Sequence, residues 1–261
     1  MSEMLPDRRR REILDRVRAA GAVRVADLVA ELNVSDMTVR RDLNRLAQDG
    51  ELQKVHGGAR LSAGSSATEP GFTHKAELQL PEKAAIAAAA ESMVEPGMSV
   101  SLNSGTTTFA LARALRRISG ITVVTNSPRI ADVLQDAPAM GQTVVLIGGV
   151  RTPSDALVGP LATAALRTLH VDVCFLGVHG LSDRDGLTTP NMMEAEINRL
   201  FLERCDRSVV LADSTKWGLS GLYRIASLEE VDTVVTDDGL DAADREALSQ
   251  YISDLRLEPV R

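Results

Sequence analysis

Two neighbouring arginines and an asparagine form the first group of residues that could do chemistry. Arg40, Arg41 and Asn44 share the outer face of a predicted helix whose inner face is apolar. Arginine can bond guanine through two hydrogen bonds and asparagine can bond adenine, so this face is suited to reading the major groove of DNA. The alternative is a solvated basic face, which is the usual setting of clustered charge. The predicted contact set on this helix is Ser35, Met37, Thr38, Arg40, Arg41, Asn44 and Arg45.

A second group of polar residues follows a predicted strand and opens a predicted helix. It consists of Asn103, Ser104, Gly105, Thr106, Thr107 and Thr108. Backbone N–H groups and hydroxyls at a helix N-terminus bind an anion without needing a cationic side chain. The alternative is the capping turn of an ordinary βα unit, which serine and threonine also favour.

Polar residues also follow other predicted strands of this half. They are Asn126, Ser127, Gly148, Gly149, Arg151, Glu194 and Lys216. If the strands are parallel, their carboxyl ends meet at one edge of the sheet, where ligands bind. A phosphate would use the Gly/Thr loop and Lys216, and a polyol would use Asn, Asp or Glu. We therefore predict an effector site here, with a solvated surface lysine as the alternative for Lys216.

The DNA-reading face requires a small helical module, which residues 1–61 can supply. Helices are predicted over about 7–20, 25–32 and 36–49, and Ser35 is the expected N-cap of the third. The apolar residues facing inward from the third helix are Val39, Leu43 and Leu46. Strands over 51–55 and 59–61 flank a Gly57-Gly58 turn and form a β-wing.

The effector site requires parallel strands, which residues 82–261 can supply. Short apolar segments alternate with helical ones there, which predicts a mostly parallel sheet covered by helices on both faces. Residues 62–81 are rich in Ser, Gly and Pro and predict a linker. The predicted fold class is α/β: a winged helix-turn-helix over 1–61, the linker, and an effector-sensing and oligomerisation domain over 82–261.

Charge and composition narrow the possible classes of function. The 261-residue chain has 29 Lys+Arg and 36 Asp+Glu, and residues 1–60 hold 12 and 10 of these, so that part carries +2 and the rest −9. A basic N-terminal module in an acidic protein indicates a polyanionic partner. The two cysteines belong to no CxxC pair, and no apolar run reaches the ~18 residues of a membrane span. We expect a cytoplasmic protein without metal or cofactor.

The segment Val34–Leu43, with Leu46, Gly50 and the run His56-Gly57-Gly58-Ala59, resembles the DeoR family of bacterial transcriptional regulators. The resemblance implies a winged helix-turn-helix whose third helix enters the DNA. It also makes Lys54 and His56, near the wing, candidate phosphate contacts. A structural role in the wing is an equal alternative for His56.

The second half resembles the sensor domain of the same family. The matching positions are Ser104-Gly105-Thr106-Thr107, Thr125-Asn126-Ser127, Gly148-Gly149, Asp172, Phe175-Leu176-Gly177, Gly186-Leu187-Thr188, Glu194 and Asp213-Ser214-Thr215-Lys216. This resemblance implies a fold similar to ribose-5-phosphate isomerase and glucosamine-6-phosphate deaminase, and a sugar phosphate as effector. The family usually has Asp where this chain has Asn103, which removes an acceptor for a sugar hydroxyl. His179 is another position where ligand identity could be tuned.

The predicted function is a DNA-binding regulator, a repressor of a carbohydrate or polyol catabolic operon that a phosphorylated sugar-type metabolite releases from operator DNA. We expect a homodimer or higher homo-oligomer, because one short recognition helix reads few base pairs. One alternative is a sugar-phosphate isomerase or deaminase with an accessory DNA-binding domain. Its acid/base pair would have to come from Asp172, His179 and Glu194. In another alternative the second half only oligomerises.

Overall fold

The computed structural model describes residues 6–20, 22–32, 34–48, 52–55, 58–61, 71–136 and 141–260. The chain divides into two compact units, Met1–Ser66 and Ala67–Arg261. Each unit has its own buried apolar core.

The first unit contains three helices and a small antiparallel sheet. The helices are α1 (Pro6–Ala20), α2 (Val25–Leu32) and α3 (Asp36–Gln48), and the strands are β1 (Ala22–Arg24), β2 (Leu52–Val55) and β3 (Gly58–Leu61). The strand order is β1-β3-β2, so the wing gains a third strand, β1, that the sequence did not predict. Gly58 permits this pairing, because a Cβ atom there would lie 2.1 Å from the carbonyl oxygen of Val23.

The core of the first unit comes from the apolar stripes of its helices. Val39, Leu43 and Leu46 of α3 are buried, as predicted, against residues of α1 and α2. The inner face of α3 also carries Asp42, which is buried and accepts a 2.6 Å hydrogen bond from Nε of the equally buried Arg9 on α1. A buried ion pair therefore joins the first helix to the third.

Part of the predicted linker is helical. Residues 72–76 form α4 (Phe72–Ala76), and α5 (Leu80–Glu91) begins before residue 82. Phe72 is buried, and its ring meets that of Phe109 edge to face at 5.6 Å. This buried aromatic contact places α4 within the second unit. Residues 62–70 of the predicted linker lie outside the described part of the chain.

The second unit is built on a seven-stranded parallel sheet. Its strands are β4 (Ser99–Leu102), β5 (Thr122–Thr125), β6 (Thr143–Leu146), β9 (Val171–Gly177), β12 (Cys205–Leu211), β14 (Thr233–Asp237) and β15 (Asp254–Glu258), and the order is β15-β14-β12-β9-β4-β5-β6. The chain runs outward from β4 through β5 to β6 and then returns to add β9 on the other side of β4. The β4–β9 pair is therefore the point where the strand order reverses.

Helices cover both faces of this sheet, as predicted. They are α5, α6 (Thr106–Leu115), α7 (Pro128–Gln135), α8 (Pro160–Leu166), α9 (Met192–Glu203) and α10 (Ala242–Ser249). Alternate residues of β9 serve two separate cores: Val173 and Phe175 join one, and Cys174 and Leu176 join the other. This alternation explains why β9 is a continuous apolar run over Val173–Leu176.

Five short strands lie outside the parallel sheet, and the sequence predicted none of them. β7 (Val150–Arg151) pairs with β8 (Leu157–Val158), and β10 (Gly180–Ser182), β11 (Gly186–Thr189) and β13 (Tyr223–Ala226) form a three-stranded antiparallel sheet. Both thiols are free; Cys174 is buried and Cys205 is half-buried. No helix in the described ranges is long and apolar enough to cross a membrane.

Candidate functional site

Helix α3 begins at a capped N-terminus. The Ser35 hydroxyl accepts a hydrogen bond of 3.2 Å from the Thr38 N–H, and the Ser35 and Thr38 hydroxyl oxygens are 2.8 Å apart. The Thr38 N–H is thus shared between the Ser35 hydroxyl and the Ser35 carbonyl, which lies 3.0 Å away, as is typical of a helix N-terminus. The cap also sets two hydroxyls at the positive end of the helix dipole, where a phosphate is stabilised.

The outer face of α3 is exposed along its length, as its spacing predicted. The exposed members of the predicted contact set are Ser35, Met37, Arg40, Arg41, Asn44 and Arg45, and Thr38 is half-buried. Met37 is 71% exposed although it is apolar. This face therefore combines long polar groups with one apolar side chain, a combination that can meet both base edges and the thymine methyl group.

One of the two arginines already has a partner. Arg40 Nε donates to Asp36 Oδ1 at 2.5 Å, one helical turn back. This hydrogen bond raises the pKa of Arg40 above its ordinary value. Arg40 must therefore release Asp36, or bring a carboxylate with it, before it contacts DNA, whereas Arg41 is exposed without that pairing.

Of the two predicted DNA contacts of the wing, the described part of the chain contains one. Lys54 lies on β2, the first strand of the hairpin. His56 lies outside the described residues.

A polar cavity lies at the carboxyl ends of β4 and β9, in the second unit. It encloses about 470 Å³, including its open mouth. It is lined by Lys75, Asn103, Ser104, Gly105, Thr106, Thr107, Gly177, Val178, His179, Thr189, Glu194, Asn198 and Lys216. This is the reversal point of the strand order, where open parallel sheets bind their ligands.

The β4–α6 loop forms the floor of the cavity. Gly105 is the N-cap of α6, and no side chain caps the helix. A Cβ atom at Gly105 would approach the Thr108 hydroxyl to 3.0 Å, so the loop packs tightly against the first turn. The first N–H groups of α6 have no side-chain acceptor at the N-cap, and they lie beside the cavity at the positive end of the helix dipole.

The side chain of Asn103 is committed to the protein. Its Oδ1 accepts from the Gly177 N–H at 2.8 Å, and its Nδ2 donates to the Gly177 carbonyl at 2.8 Å and to Asn198 Oδ1 at 3.0 Å. The pattern fixes which atom of the amide is oxygen, because the Gly177 backbone supplies one donor and one acceptor. Asn103 thus joins the ends of β4 and β9 rather than presenting a free amide to a ligand.

Glu194 is the carboxylate of the cavity and is 6% exposed. Asn191 caps α9 by accepting from the Met193 and Glu194 N–H groups, which sets Glu194 in the first helical turn. Ser154 Oγ donates to Glu194 Oε1. The carboxylate is thereby oriented toward the same space as the α6 N-terminus.

Three groups that can carry positive charge line the cavity: Lys75 of α4, His179 after β9, and Lys216 after β12. Lys216 lies on a short helical turn, Ser214–Lys216, that Asp237 holds by accepting from the Ser214 N–H at 2.6 Å. A fourth cation, Lys83, is buried close by, and burial lowers its pKa to about 8 against the favourable charge of Asp213.

Six of the predicted effector residues do not line the cavity. The Thr108 hydroxyl donates to the Asn103 carbonyl, and Asn126 Oδ1 accepts from the Ser104 N–H at 2.8 Å, so these two support the loop from behind. Ser127 caps α7. The others, Gly148, Gly149 and Arg151, follow β6 at the edge of the sheet, where Arg151 pairs with Asp155.

Five lining residues had not been predicted as contacts: Lys75, Gly177, Val178, Thr189 and Asn198. Asn198 could have been found, because it lies four positions after Glu194 and so shares its face of α9. Lys75 could not, since it lies in a segment whose composition indicates a linker.

The three residues that an enzyme could use for acid/base chemistry are not brought together. Asp172 lies at the start of β9, the opposite end of the strand from His179. It accepts hydrogen bonds from the Ser99 N–H and hydroxyl, both at 2.7 Å, and these bonds lower its pKa. Only Glu194 and His179 reach the cavity.

Comparison with known proteins agrees with both units. The family described as the DeoR-like helix-turn-helix domain matches residues 9–63, and the one described as the DeoR C terminal sensor domain matches residues 78–238. A relative from Escherichia coli named a putative aga operon transcriptional repressor is 35% identical, over 92% of this chain and 89% of its own.

Two further relatives match along almost their whole length. An uncharacterized HTH-type transcriptional regulator, YgbI, from Escherichia coli is 38% identical over 96% of this chain and 97% of its own. A lactose phosphotransferase system repressor from Staphylococcus epidermidis is 33% identical over 92% of this chain and 95% of its own. The protein is a DNA-binding transcriptional regulator rather than an enzyme, and the chain belongs to the DeoR family.

Proposed function

We propose that this regulator is a repressor of a carbohydrate or polyol catabolic operon and that a phosphorylated sugar or polyol releases it from its operator. The observation that carries the proposal is the cavity at the ends of β4 and β9. There a helix N-terminus without a side-chain cap, two lysines and one oriented carboxylate line a single space.

These groups match the two parts of such a ligand. The α6 N–H groups with Lys216 and Lys75 suit a phosphate, because they combine a positive dipole end with charge-assisted donors. Glu194 accepts hydrogen bonds and so suits the hydroxyls of a sugar or polyol. Of the predicted effector contacts, Asn103, Ser104, Gly105, Thr106, Thr107, Glu194 and Lys216 remain in the proposed site.

Six of the predicted effector residues have no direct ligand role in this proposal: Thr108, Asn126, Ser127, Gly148, Gly149 and Arg151. Asn126 and Thr108 instead hold the proposed phosphate loop, residues 103–108, in shape through their hydrogen bonds to Ser104 and Asn103. The names of two relatives, an aga operon repressor and a lactose phosphotransferase system repressor, support a sugar-related ligand.

On the DNA side, we propose that α3 enters the major groove. Arg41, Asn44 and Arg45 would face base edges or phosphates, and Ser35 with Thr38 would meet a phosphate at the helix N-terminus. Arg40 joins them after leaving Asp36. Lys54 and His56 remain proposed phosphate contacts of the wing. Because genomic DNA is the partner, the proposed place of action is the cytoplasm.

The proposal includes a homodimer or a higher homo-oligomer. One recognition helix contacts only a few base pairs, and two-fold pairing places a second helix on an adjacent half-site. Light scattering at micromolar protein should therefore report at least twice the 28.0 kDa chain mass. A 28.0 kDa species both with and without operator DNA would contradict this prediction.

The test of the ligand class uses Trp217, the single tryptophan, which follows Lys216 directly. Its fluorescence is titrated with inorganic phosphate, glycerol 3-phosphate, ribose 5-phosphate, glucose 6-phosphate and glucitol 6-phosphate, with glucose and glucitol as unphosphorylated controls. An operator is first selected from random duplex DNA. We expect a phosphorylated compound to change the fluorescence and to release that operator.

The experiment distinguishes failure of the repressor assignment from failure of the proposed ligand class. If no DNA sequence is enriched, the repressor assignment is wrong. If an operator is found but only unphosphorylated sugars release it, the phosphate part of the site is wrong.

A further inference from the structure

Helix α4 connects the sensor cavity to the start of the second unit. It follows Leu61, the last residue of β3, after ten residues of sequence and is the first helix described after the wing. Its residue Lys75 lines the cavity. Whatever binds there therefore meets the helix that is nearest in sequence to the DNA-binding unit.

The C-terminal end of α4 is fixed by a buried lysine. Lys83 Nζ donates to the Lys75 carbonyl and to the Leu78 carbonyl, both at 2.5 Å. A five-residue helix has little stability of its own, because so short a segment cannot recover the cost of nucleation. The position of α4 is consequently set by its contacts with the rest of the unit.

The N-terminal end of α4 is held by a stack of side chains. Phe72 packs on Phe109, and the Arg129 guanidinium lies 4.6 Å from the centre of the Phe72 ring. Arg129 also forms an ion pair with Asp155. Arg129 therefore links α4 to the loop that contains Asp155, because its guanidinium contacts both the Phe72 ring and the Asp155 carboxylate.

That loop reaches the cavity from the other side. Asp155 has a left-handed backbone, with φ of 66°, and is held there by Arg129 and Arg151, whose hydrogen bonds lower its pKa. The preceding residue, Ser154, donates to Glu194 and accepts from the Ser104 hydroxyl at 3.0 Å. The loop thus contacts both the carboxylate of the cavity and its phosphate loop.

We propose that α4 is the element that reports ligand binding to the DNA-binding unit, with Lys75 as a ligand contact and Arg129 as the residue that couples α4 to the Asp155 loop. The inference rests on the proposed function, since it needs an anionic ligand in the cavity. An anion that draws Lys75 inward moves α4 as a unit only while Arg129 and Phe72 hold this helix, and any shift of Ser154 with Glu194 acts on α4 through Asp155 and the same two residues.

The experiment measures the affinity for inorganic phosphate, by Trp217 fluorescence, with and without a selected operator duplex. Coupling is reciprocal, so operator binding must change phosphate affinity by the factor by which phosphate changes operator affinity. We expect a change of about 5-fold or more in the wild type. Lys75→Met should weaken phosphate binding by about 10-fold, and Lys75→Arg should restore most of it.

Arg129→Met separates coupling from binding. Asp155 keeps Arg151 in this variant, so the loop retains one of its two ion pairs. We expect phosphate affinity without DNA to stay near that of the wild type and the effect of the operator to disappear. Phe72→Leu should act in the same way. Arg167→Met, at an exposed arginine beyond the C-terminal end of α8, is the matched control and should couple like the wild type.

The outcomes separate the two proposals. Absence of phosphate binding in the wild type would overturn the proposed site and this inference together. Phosphate binding whose dependence on the operator survives in both Arg129→Met and Phe72→Leu would overturn the inference alone.

Discussion

The outer face of α3 and the cavity at the ends of β4 and β9 are assembled in opposite ways. On α3, one helix supplies nearly all the polar groups, and most of them stand in solvent. In the cavity the groups come from α4, α6, α9 and the ends of four strands, and Asn103, Asn198 and Glu194 are almost completely buried. A substitution on the outer face of α3 should therefore remove one contact, whereas a substitution in the cavity also removes a support.

The largest expected effect is on DNA binding. The double variant Arg40→Ala/Arg41→Ala should weaken operator binding by about 2–6 kcal/mol, the sum of about 1–3 for each arginine. Its unfolding temperature should match that of the wild type, because both side chains are exposed. A gel-shift titration with a thermal melt checks both parts, and unchanged operator affinity would remove these residues from the interface.

Single variants sharpen this prediction. Arg41→Ala should cost more operator affinity than Arg40→Ala, since Arg40 must first leave Asp36. For whichever arginine contacts a phosphate, the slope of log affinity against log salt should fall by about 1.

The buried ion pair of Arg9 and Asp42 in the first unit should be an exception to this contrast, because one substitution there removes a support. Arg9→Met leaves the Asp42 carboxylate buried without its arginine and should destabilise the first unit by about 3–5 kcal/mol. Operator binding should then fail because the first unit unfolds, although neither Arg9 nor Asp42 belongs to the exposed face of α3. Urea denaturation checks this, with Arg8→Met, an exposed arginine of the same helix, as the control. Equal stability of the two variants would contradict it.

Lys216 tests whether a cavity residue can behave as a simple contact. Lys216→Ala should lose about 1.5–3 kcal/mol of binding for the phosphorylated compound that releases the wild type. The expected behaviour is a repressor that stays on its operator in the presence of that compound, and Lys216→Arg should respond partly. Titration of preformed operator complexes checks this. An equal response of Lys216→Ala and the wild type would place the ligand elsewhere.

The smallest expected effect concerns Lys83 and pH. Burial lowers its pKa from 10.5 to about 8, so between these values the unfolded chain holds a proton that the folded one has lost. Stability must then rise with pH through this window, and Lys83 adds no pH dependence below it. From pH 8 to 10 the gain from this group should be about 2 kcal/mol. Urea unfolding of the wild type and Lys83→Met at both pH values isolates it; parallel changes would contradict it.

Much of the first unit could be predicted because its elements are set by local patterns. The bounds of α2 match the prediction, since its apolar stripe begins at Val25 and ends at Leu32. The Ser35 cap and the outward face of α3 followed from the same periodicity. Asp42 was missed because a charged residue on an inner face is recognised only when its partner is known, and Arg9 lies 33 residues away.

The cavity could be predicted less well because its membership depends on strand order. The sequence predicts parallel strands but not which are neighbours. β5 lies next to β4, so Asn126 reaches the β4–α6 loop, whereas β6 is one strand further out, roughly 10 Å from β4. Gly148, Gly149 and Arg151 follow β6 and therefore do not reach the cavity. The short antiparallel strands were missed because they are only two to four residues long, too short for an apolar alternation to predict them.

The paired hydrogen bonds between Asn103 and Gly177 restrict which residues can replace Asn103. An aspartate at position 103 could still accept from the Gly177 N–H, but it would set a carboxylate against the Gly177 carbonyl and the Asn198 oxygen, both of which now receive N–H donors. Turning the Asn198 amide would relieve one of these clashes and leave the other. An Asn103→Asp substitution therefore requires the Gly177 carbonyl to move away from the new carboxylate.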